Sequence, residues 1–305
     1  MKLKNPEVRF EVTNHCNYDC VICPREEMTR TKGIMDFDLY CRLVDEGIKL
    51  GLKYVTLTSF GEPFIDKRFF DRTRYAKQRG LTTYVDTNGS IVGEKHAQQL
   101  IETQFDSIRF SIFGGSRETY HKLMGFDGYD QVVENVERLM RLKKEIGSKY
   151  PKVGIYYVHQ PGNEHETQAF IERWKNAVDE LSVWKAHNWM NTYHLRQGQK
   201  RHKGCFRPES GPLQIRWNGD AVACCFDFNN QLVMGNVSDG KYDSLFEDPR
   251  AKKLILAHQE GDLSDYPLCA NCDQLFETPD ALIFSTEDKN KIGVSGNTFE
   301  EMMTA

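Results

Sequence analysis

Residues 14–25 read Asn-His-Cys-Asn-Tyr-Asp-Cys-Val-Ile-Cys-Pro-Arg, and they place Cys16, Cys20 and Cys23 in one short loop with the spacing Cys-x3-Cys-x2-Cys. Three thiolates this close together are able to hold one face of a cubane iron–sulfur cluster, which needs four ligands. The loop supplies only three, so one iron would stay open to a ligand that is not protein. A strand-like run from Val8 to Val12 leads directly into the loop and is expected to fix its base.

The alternative interpretation of this loop is a zinc site or a set of reduced structural thiols. Zinc usually draws four ligands from paired Cys-x2-Cys or His units, and no second pair follows nearby. The spacing resembles the signature of the radical S-adenosylmethionine (radical SAM) superfamily. The resemblance implies that S-adenosylmethionine chelates the open iron of a [4Fe–4S] cluster. One electron from the cluster then cleaves it to a 5′-deoxyadenosyl radical, which abstracts hydrogen from the substrate.

The composition is that of an ordinary globular protein, with 39% hydrophobic and 28% charged residues in a chain of 305 residues. The net charge of −4 argues against nucleic-acid binding through phosphates. No apolar run approaches the ~20 residues of a membrane helix, and the first residues do not resemble a secretion signal. We therefore expect a cytoplasmic protein, whose nine cysteines indicate metal or redox chemistry rather than disulfides.

Five more strand-like segments alternate with helical patterns after the loop. The strands are predicted at 54–59, 81–89, 105–112, 153–159 and 181–188, and the helices at 36–50, 66–79, 94–104, about 119–140 and 164–179. Six strand–helix alternations imply a parallel sheet with helices outside it. This count fits the α/β fold that the resemblance implies, a partial (β/α)6 TIM-like barrel. Active groups in such barrels gather at the carboxyl ends of the strands.

Three of the predicted strand exits carry residues that the resemblance assigns to S-adenosylmethionine. Gly61 and Glu62 match the end of the family's Gly-Gly-Glu motif, which meets the cofactor's amino group, but Phe60 stands where the first glycine usually sits. Asn88 lies in a Thr-Asn-Gly turn that the family commonly carries. Ser111 ends the fourth strand, where a serine often binds the cofactor's carboxylate or ribose. Ordinary turns would also suit some of these residues.

The exits of the fifth and sixth strands supply the candidate catalytic residues His159, Lys185 and His187. One of them is expected to contact the substrate or take its proton, and each could equally be a rim or packing residue. His121, at the start of a helix, and Cys41, on the buried face of another, are interpreted as structural.

A second group of cysteines follows a polar link at 199–203. Two alternating runs, 213–217 and 220–225, flank an Asn-Gly pair and predict a hairpin that carries Cys224 back toward Cys205. A helix at 242–259 then leads to Cys269 and Cys272. Four converging thiols satisfy a [4Fe–4S] cluster completely, or a zinc ion.

The order of these cysteines, with Gly219-x4-Cys224 before Cys269-x2-Cys272, resembles the SPASM/Twitch extension of radical SAM enzymes. No cysteine follows Cys272, so the match is to the shorter Twitch form. It implies one auxiliary [4Fe–4S] cluster held by Cys205, Cys224, Cys269 and Cys272. Cys225 is left over, because adjacent strand residues point to opposite faces. It is interpreted as a small buried residue, with a hydrogen-atom donor as the alternative.

The chain is therefore divided into a barrel at 1–198, a cluster domain at 199–275 and a tail at 276–305. Within the Twitch group, the architecture resembles that of the aminocyclitol dehydrogenase of aminoglycoside biosynthesis. It implies dehydrogenation of a sugar, cyclitol or similar polar small molecule, with the auxiliary cluster as electron acceptor. The family leads us to expect flavodoxin or ferredoxin as electron donor.

Two other functions stay open. A peptide- or protein-modifying radical SAM enzyme would form a crosslink, an epimer or an oxidised side chain. Many of these enzymes add an N-terminal leader-binding domain, and a first strand that begins by Val8 leaves no room for one. A non-catalytic zinc-binding protein is the remaining alternative, from a different class.

Overall fold

In a computed structural model of the chain, which describes residues 2–189, 196 and 198–287, ten strands form one sheet. Its centre is six parallel strands that neighbour one another in chain order. These are β1 (Glu7–Phe10), β2 (Tyr54–Thr56), β3 (Thr82–Thr87), β4 (Ser107–Ser111), β5 (Lys152–His159) and β6 (Glu180–Lys185). The predicted α/β fold of the partial-barrel type is confirmed.

Six helices alternate with these strands: α1 (Phe37–Lys49), α2 (Phe69–Gln78), α3 (Glu94–Glu102), α4 (Arg117–Met124), α5 (Tyr129–Ile146) and α6 (Thr167–Trp174). Helix α1 begins where Asp36 accepts a hydrogen bond from the backbone N–H of Leu39, at 2.8 Å. Cys41 is half-buried and packs against the core beside this helix's buried face. The helix predicted at 164–179 is shorter, because a 3-10 turn at Glu164–Glu166 precedes α6.

The strands alternate between two environments, as a half-buried strand must. One set of side chains packs under the helices and forms the main core, with members such as Val8, Val85 and Ile108 completely buried. The alternate set points into the barrel, and it includes Arg9, Asp86, Arg109 and Ser111. Charged and hydroxyl side chains therefore lie among apolar ones inside the barrel.

The C-terminal part of the chain continues the same sheet. Strand β7 (Leu213–Ile215) pairs in parallel with β1, and β8 (Asp220–Val222) and β9 (Val233–Asn236) follow as antiparallel neighbours. The hairpin predicted around Asn218-Gly219 forms between β7 and β8, with Gly219 at a φ of 88°. The short helices α7 (Arg207–Ser210), α8 (Asp243–Glu247) and α10 (Pro267–Ala270) and the longer α9 (Pro249–Glu260) pack around it.

Two segments differ from the sequence-based expectation. The single helix predicted at 242–259 is divided into α8 and α9, because Asp248 is extended and caps α9, with Pro249 in its first turn. The predicted tail contains strand β10 (Leu282–Ser285), which pairs antiparallel with β6 and covers its edge. Residues 288–305 of that tail lie outside the described residues. The domain boundaries at 198 and 275 remain a prediction.

Within the described ranges, no helix combines the length and the apolar character needed to cross a membrane.

Candidate active site

The three cysteines of the loop line a cavity of about 500 Å³ at the carboxyl ends of the barrel strands. Burial raises the pKa of all three thiols, and it raises that of Cys23 to about 12. Charge on Cys23 and Cys16 would raise the pKa of Cys20 further, so the three sulfur atoms lie close enough to influence one another.

Arg25 provides a test of whether this loop fits an iron–sulfur cluster. Its Nη1 donates to the carbonyl of Asn14 at 3.0 Å, but its buried Nε has no hydrogen-bond partner among the described residues. The guanidinium lines the same cavity and lowers the pKa of each of the three thiols. A cubane with three thiolates is anionic, so a buried cation with an open N–H beside three thiols fits it.

Gly61 brings the turn after β2 against the start of the cysteine loop. A Cβ at this position would stand 2.9 Å from the carbonyl oxygen of His15 and closer still to that of Thr13. The next residue, Glu62, donates its backbone N–H to the same carbonyl of His15 at 2.8 Å. Only glycine permits this approach, so Gly61 is required for the position of the loop.

Glu62 fastens the same turn to the exit of β3. Its carboxylate accepts hydrogen bonds from the Thr87 hydroxyl at 2.8 Å, the Asn88 backbone N–H at 2.8 Å and the Phe64 backbone N–H at 3.2 Å. The side chain is fully buried, and this burial raises the pKa of the carboxyl to about 7. Glu62 therefore joins two strand exits. Because it is buried, its ionised form is destabilised.

Asn88 and Ser111 flank the loop from the neighbouring strand exits. The Asn88 amide donates to Asn17 Oδ1 at 3.0 Å and lies 3.9 Å from Cys16 Sγ. Ser111 lines the cavity, and in the described part of the chain its hydroxyl makes no hydrogen bond. Gly61, Glu62, Asn88 and Ser111 thus surround the open side of the cysteine loop, where the sequence placed a cofactor site.

Phe60, which replaces the family's first glycine, turns its side chain into the wall beside the C-terminal hairpin. Its ring lies 5.6 Å from that of Trp189 and 6.3 Å from that of Phe228, and it is 4% exposed. The departure from the motif is accommodated by packing this ring against Trp189 and Phe228, in the wall of the same cavity.

The three candidate catalytic residues occupy different positions. His159 is not among the residues that line the cavity, and its Nδ1 lies 2.9 Å from the Thr167 hydroxyl. Lys185 lines the cavity, with its ammonium 2.6 Å from Asp280. His187 also lines it, between the rings of Trp189 and Phe226.

His187 has a defined hydrogen-bonding state. Its Nδ1 accepts the backbone N–H of Trp189 at 3.1 Å, which assigns the proton to Nε2 in the neutral ring. Burial, with the charges of Arg196 and Arg207, holds the pKa of His187 well below its usual range. His187 is therefore a neutral hydrogen-bond donor.

Two charged residues inside the barrel were not singled out from the sequence. Asp86 on β3 and Arg109 on β4 are register partners, joined by a hydrogen bond of 2.9 Å, and both line the cavity. Charged residues at alternate positions of otherwise apolar strands were the available signal, because a strand in a barrel has no solvent face on its inner side.

The second group of cysteines lies beside a separate, smaller core. Cys269 and Cys272 belong to it, and Cys205, Cys224 and Cys225 pack against it. Burial raises the pKa of Cys269 and of Cys272 to about 12, and charge on Cys205 would raise both. Burial, and then charge on Cys225 and on Cys272, raise the pKa of Cys224 well above its usual value. These thiols are near one another, and the ligand set of Cys205, Cys224, Cys269 and Cys272 stays a prediction.

Cys225 faces the barrel, unlike its neighbour. It lines the large cavity, and Arg207 Nη1 lies 3.8 Å from its sulfur. Within the described residues, no three His, Cys, Asp or Glu side chains converge tightly enough to hold a metal ion directly.

Comparison with known families decides what this arrangement belongs to. The profile of the radical SAM superfamily matches residues 10–173, more than half of the chain, and the SPASM iron–sulfur cluster-binding domain matches residues 205–273. The chain belongs to the radical SAM superfamily. The resemblance stated from the sequence is confirmed for both cysteine groups. The cofactors of this radical SAM enzyme are thus S-adenosylmethionine, the [4Fe–4S] cluster that binds it and an auxiliary iron–sulfur cluster.

The curated relatives match part of this radical SAM chain. The tungsten-containing aldehyde ferredoxin oxidoreductase cofactor-modifying protein of Pyrococcus furiosus is 28% identical over 49% of this chain and 42% of its own length. A probable GTP 3′,8-cyclase of Saccharolobus solfataricus is 26% identical over 59% of this chain and 57% of its own length. The chain spans about half the length of the curated relatives it matches.

Solved structures support the fold of this radical SAM enzyme. BtrN in complex with AdoMet and 2-DOIA has a TM-score of 0.63 at 19% identity, covering 93% of this chain and 100% of that one. Streptococcus suis SuiB bound to precursor peptide SuiA has a TM-score of 0.67 at 13% identity, covering 82% and 66%. Likenesses at such identities show the fold alone.

Proposed function

We propose that this radical SAM enzyme dehydrogenates a sugar, cyclitol or similar polar small molecule. The observation that carries the proposal is that one cavity extends from the cysteine loop to the edge of the second cysteine group: it is lined by Cys16, Cys20 and Cys23 on one side and by Cys225, the chain neighbour of the proposed ligand Cys224, on another. A substrate in this cavity would lie between a site of hydrogen-atom abstraction and an electron acceptor.

When bound, the cofactors would supply a 5′-deoxyadenosyl radical that removes a hydrogen atom and a four-cysteine [4Fe–4S] cluster that accepts an electron. A carbinol, H–C–O–H, that loses one hydrogen atom, one electron and its hydroxyl proton becomes a ketone. The protein must therefore hold the carbinol carbon near the cysteine loop and accept one proton. Cys205, Cys224, Cys269 and Cys272 are the proposed ligands of the auxiliary cluster.

The chain's own residues would position the cofactor and compensate the charge of the loop. Gly61 permits the close approach of the β2 turn to the loop, and Glu62 and Asn88 hold the adjoining strand exits, so that the cofactor's amino group is bound there. Ser111 offers a hydroxyl that no other described group occupies, which suits the cofactor's carboxylate or ribose. Arg25 compensates the charge of the loop thiolates.

Of the proposed catalytic residues, His187 and Lys185 are retained as substrate-binding groups. The assigned tautomer of His187 donates a hydrogen bond through Nε2 and does not accept a proton there. Lys185 is held by Asp280 at 2.6 Å and contributes only N–H donors. His159 contacts Thr167 and does not line the cavity, so no role in substrate contact is assigned to it.

Peptide modification is the alternative function, and SuiB bound to its precursor peptide is one of the structural neighbours. The Asp86–Arg109 pair and the Ser111 hydroxyl in the cavity wall, rather than that likeness, support the small-molecule proposal, because they offer hydrogen bonds to a hydroxyl-rich ligand. We further propose a cytoplasmic enzyme that receives electrons from flavodoxin or ferredoxin.

The proposal is tested with anaerobically reconstituted protein, dithionite and S-adenosylmethionine. Myo-inositol, D-glucose and D-glucosamine, each deuterated at its carbinol carbons, are the small-molecule probes, and Cys20→Ala is the control. We expect deuterium in 5′-deoxyadenosine and a product that has lost one deuterium from carbon and one hydrogen from the hydroxyl group. Deuterium transfer only from peptides encoded by neighbouring genes would overturn the small-molecule proposal.

A further inference from the structure

The carboxylate of Asp86 is held at only one of its two oxygens. The Tyr84 hydroxyl donates to Oδ1 at 2.6 Å, and Arg109 Nε donates to the same oxygen at 2.9 Å. In the described part of the chain no group donates to Oδ2. The Asp86 side chain is 32% exposed and lines the cavity. One carboxylate oxygen is therefore fixed in position, and the other is free to accept a hydrogen bond inside the barrel.

Among the described residues, Arg109 likewise forms a hydrogen bond through only one of its nitrogen atoms. Its Nε is used by Asp86, whereas Nη1 and Nη2 make no hydrogen bond to any described residue. The guanidinium lies over the rings of Tyr84 and Tyr156, 5.2 and 5.0 Å from their centroids, which fixes its plane. Asp86 and Arg109 together present an acceptor and several donors to the cavity from one rigid unit.

The position of this unit relative to the cysteine loop follows from the strand. Asp86 lies two residues before Asn88, whose amide is 3.9 Å from Cys16 Sγ. Two residues of strand span ~7 Å, so Asp86 lies one layer deeper in the barrel than the loop. Arg109 likewise lies two residues before Ser111 on β4. A small molecule resting on Asp86 and Arg109 would therefore present its upper atoms to the cofactor site.

The other carboxylates that line the cavity are engaged elsewhere. Both oxygens of Glu62 accept hydrogen bonds from the chain. Glu287 and Glu180 face Lys152 at the amino end of β5, at 2.7 and 3.5 Å, away from the cysteine loop, and Glu180 also lies near enough to Arg109 to act on its charge. Asp86 is thus the carboxylate best placed, among the described residues, to receive a proton near the cofactor.

We propose that Asp86 and Arg109 form the hydroxyl-binding subsite of the substrate, with Asp86 Oδ2 as the acceptor of the carbinol proton. This inference rests on the proposed dehydrogenation and names its substrate class as a polyol with adjacent hydroxyls. One hydroxyl donates to Oδ2 while its neighbour accepts from an Nη of Arg109. As the carbinol carbon loses its hydrogen atom and an electron, the O–H bond breaks, its proton forms a new O–H bond with Oδ2, and the C–O bond becomes a carbonyl.

The binding test needs no turnover. Trp184 and Trp189 line the cavity, so their fluorescence reports occupancy. Myo-inositol, D-glucose and D-glucosamine are titrated into the holoenzyme with S-adenosylmethionine bound, as wild type and as Asp86→Asn. The probe with the highest affinity should bind the variant about tenfold to a hundredfold more weakly, as expected for loss of a charge-assisted hydrogen bond. Equal affinity for wild type and variant would overturn the subsite.

Asp45→Asn is the matched control. Asp45 also accepts a tyrosine hydroxyl, that of Tyr75 at 2.7 Å, and the Nε of an arginine, Arg79, but it lies on α1 outside the barrel. This variant should bind the probe as wild type does. Asp86→Glu keeps a carboxylate and moves it by one methylene, so it remains informative where Asp86→Asn fails to fold. It should retain binding within a few-fold and lose product formation.

Turnover separates this inference from the proposed function. Wild type alone tests the function, because it must form ketone from a polyol. The variants test Asp86: they should still cleave S-adenosylmethionine but form at least about a hundredfold less ketone per 5′-deoxyadenosine, as expected for loss of a proton acceptor. If wild type forms ketone and the Asp86 variants form as much ketone per 5′-deoxyadenosine, the inference about Asp86 is overturned and the proposed function stands. A wild type that binds none of the three polyols and oxidises none of them overturns both.

Discussion

Arg216 and Glu11 are both completely buried, and their charged groups meet at 3.4 Å between β1 and the loop after β7. Glu11 also accepts the guanidinium of Arg30 at 2.5 Å, and Arg216 donates to the Ser59 hydroxyl and the Asp227 carbonyl. One carboxylate thus neutralises two buried arginines that come from opposite ends of the sequence. This cluster fixes the C-terminal hairpin against the strand that leads into the cysteine loop.

Replacing Glu11 with Gln should destabilise the protein by about 3–5 kcal/mol, because it leaves two buried guanidinium groups without a counter-charge. Asp248→Asn is the control, since its partner Arg250 is 60% exposed and such a pair contributes at most about 1 kcal/mol. Urea unfolding of the reconstituted proteins measures both. Similar losses for the two variants would show that the buried cluster does not secure the hairpin.

The Gly61→Ala variant should lose the amino-terminal cluster. The added Cβ would collide with the carbonyl oxygens of Thr13 and His15 and displace the start of the loop. Gly93→Ala is the matched control, because a Cβ there meets nothing within 4 Å. Iron analysis should find about four irons per chain in Gly61→Ala and about eight in Gly93→Ala. Full iron content and normal S-adenosylmethionine binding in Gly61→Ala would contradict the role of this contact.

Glu62 should make the cofactor-free protein less stable as the pH rises. Its pKa in the fold is raised from 4.5 to about 7, so the folded state disfavours ionisation, and the stability present below pH 4.5 falls as the pH approaches 7. Glu62→Gln cannot ionise. Its free energy of unfolding, relative to wild type, should therefore increase between pH 5 and pH 8, by about 2–3 kcal/mol.

Unfolding at fixed temperature across that range measures this difference. A constant difference between Glu62→Gln and wild type would contradict a buried carboxyl whose ionisation the fold disfavours. The same variant should bind S-adenosylmethionine more weakly, because the amide nitrogen of Gln cannot accept the hydrogen bond from the Asn88 backbone N–H that holds the strand exits of the cofactor site together. Stability and cofactor affinity would then change in opposite directions at pH 8.

Replacement of Cys224 and replacement of Cys225 should have different effects on the iron content of the protein. Cys224 is the proposed cluster ligand, while Cys225 lines the cavity beside Arg207. Cys224→Ser should hold about four irons per chain and Cys225→Ser about eight. The reverse result would assign the ligand role to Cys225. Cys225→Ser should also form ketone normally, because dehydrogenation does not need a hydrogen-atom donor; loss of product with intact clusters would favour the donor alternative.

Much of the fold was predictable because its signals are local. The six central strands and the α1 cap at Asp36 follow from alternation and helical periodicity. Strand β10 was missed because it exists only through pairing with the edge of β6, a contact that no local pattern encodes. The break between α8 and α9 had a local signal, since Asp248-Pro249 suits a helix start.

The residues of the candidate site were likewise predictable only where their sequence signals are local. The cysteines and the residues of the strand-exit turns could be proposed from the sequence because their spacing is local. Asp86 and Arg109 were missed because each looks like an exposed residue until the strands pair and place both inside the barrel. His159 shows the opposite case: a strand exit predicted a site residue, and the side chain turns to Thr167 instead.

The central claim is that the loop of Cys16, Cys20 and Cys23 holds a cluster on which S-adenosylmethionine is reductively cleaved. The most direct measurement is 5′-deoxyadenosine formed by the reduced, reconstituted protein, compared with its Cys20→Ala variant. The account predicts formation by wild type, none by the variant, and about four irons remaining in the variant at the auxiliary site. A wild type that holds about eight irons per chain and forms no 5′-deoxyadenosine with S-adenosylmethionine and reductant would contradict it.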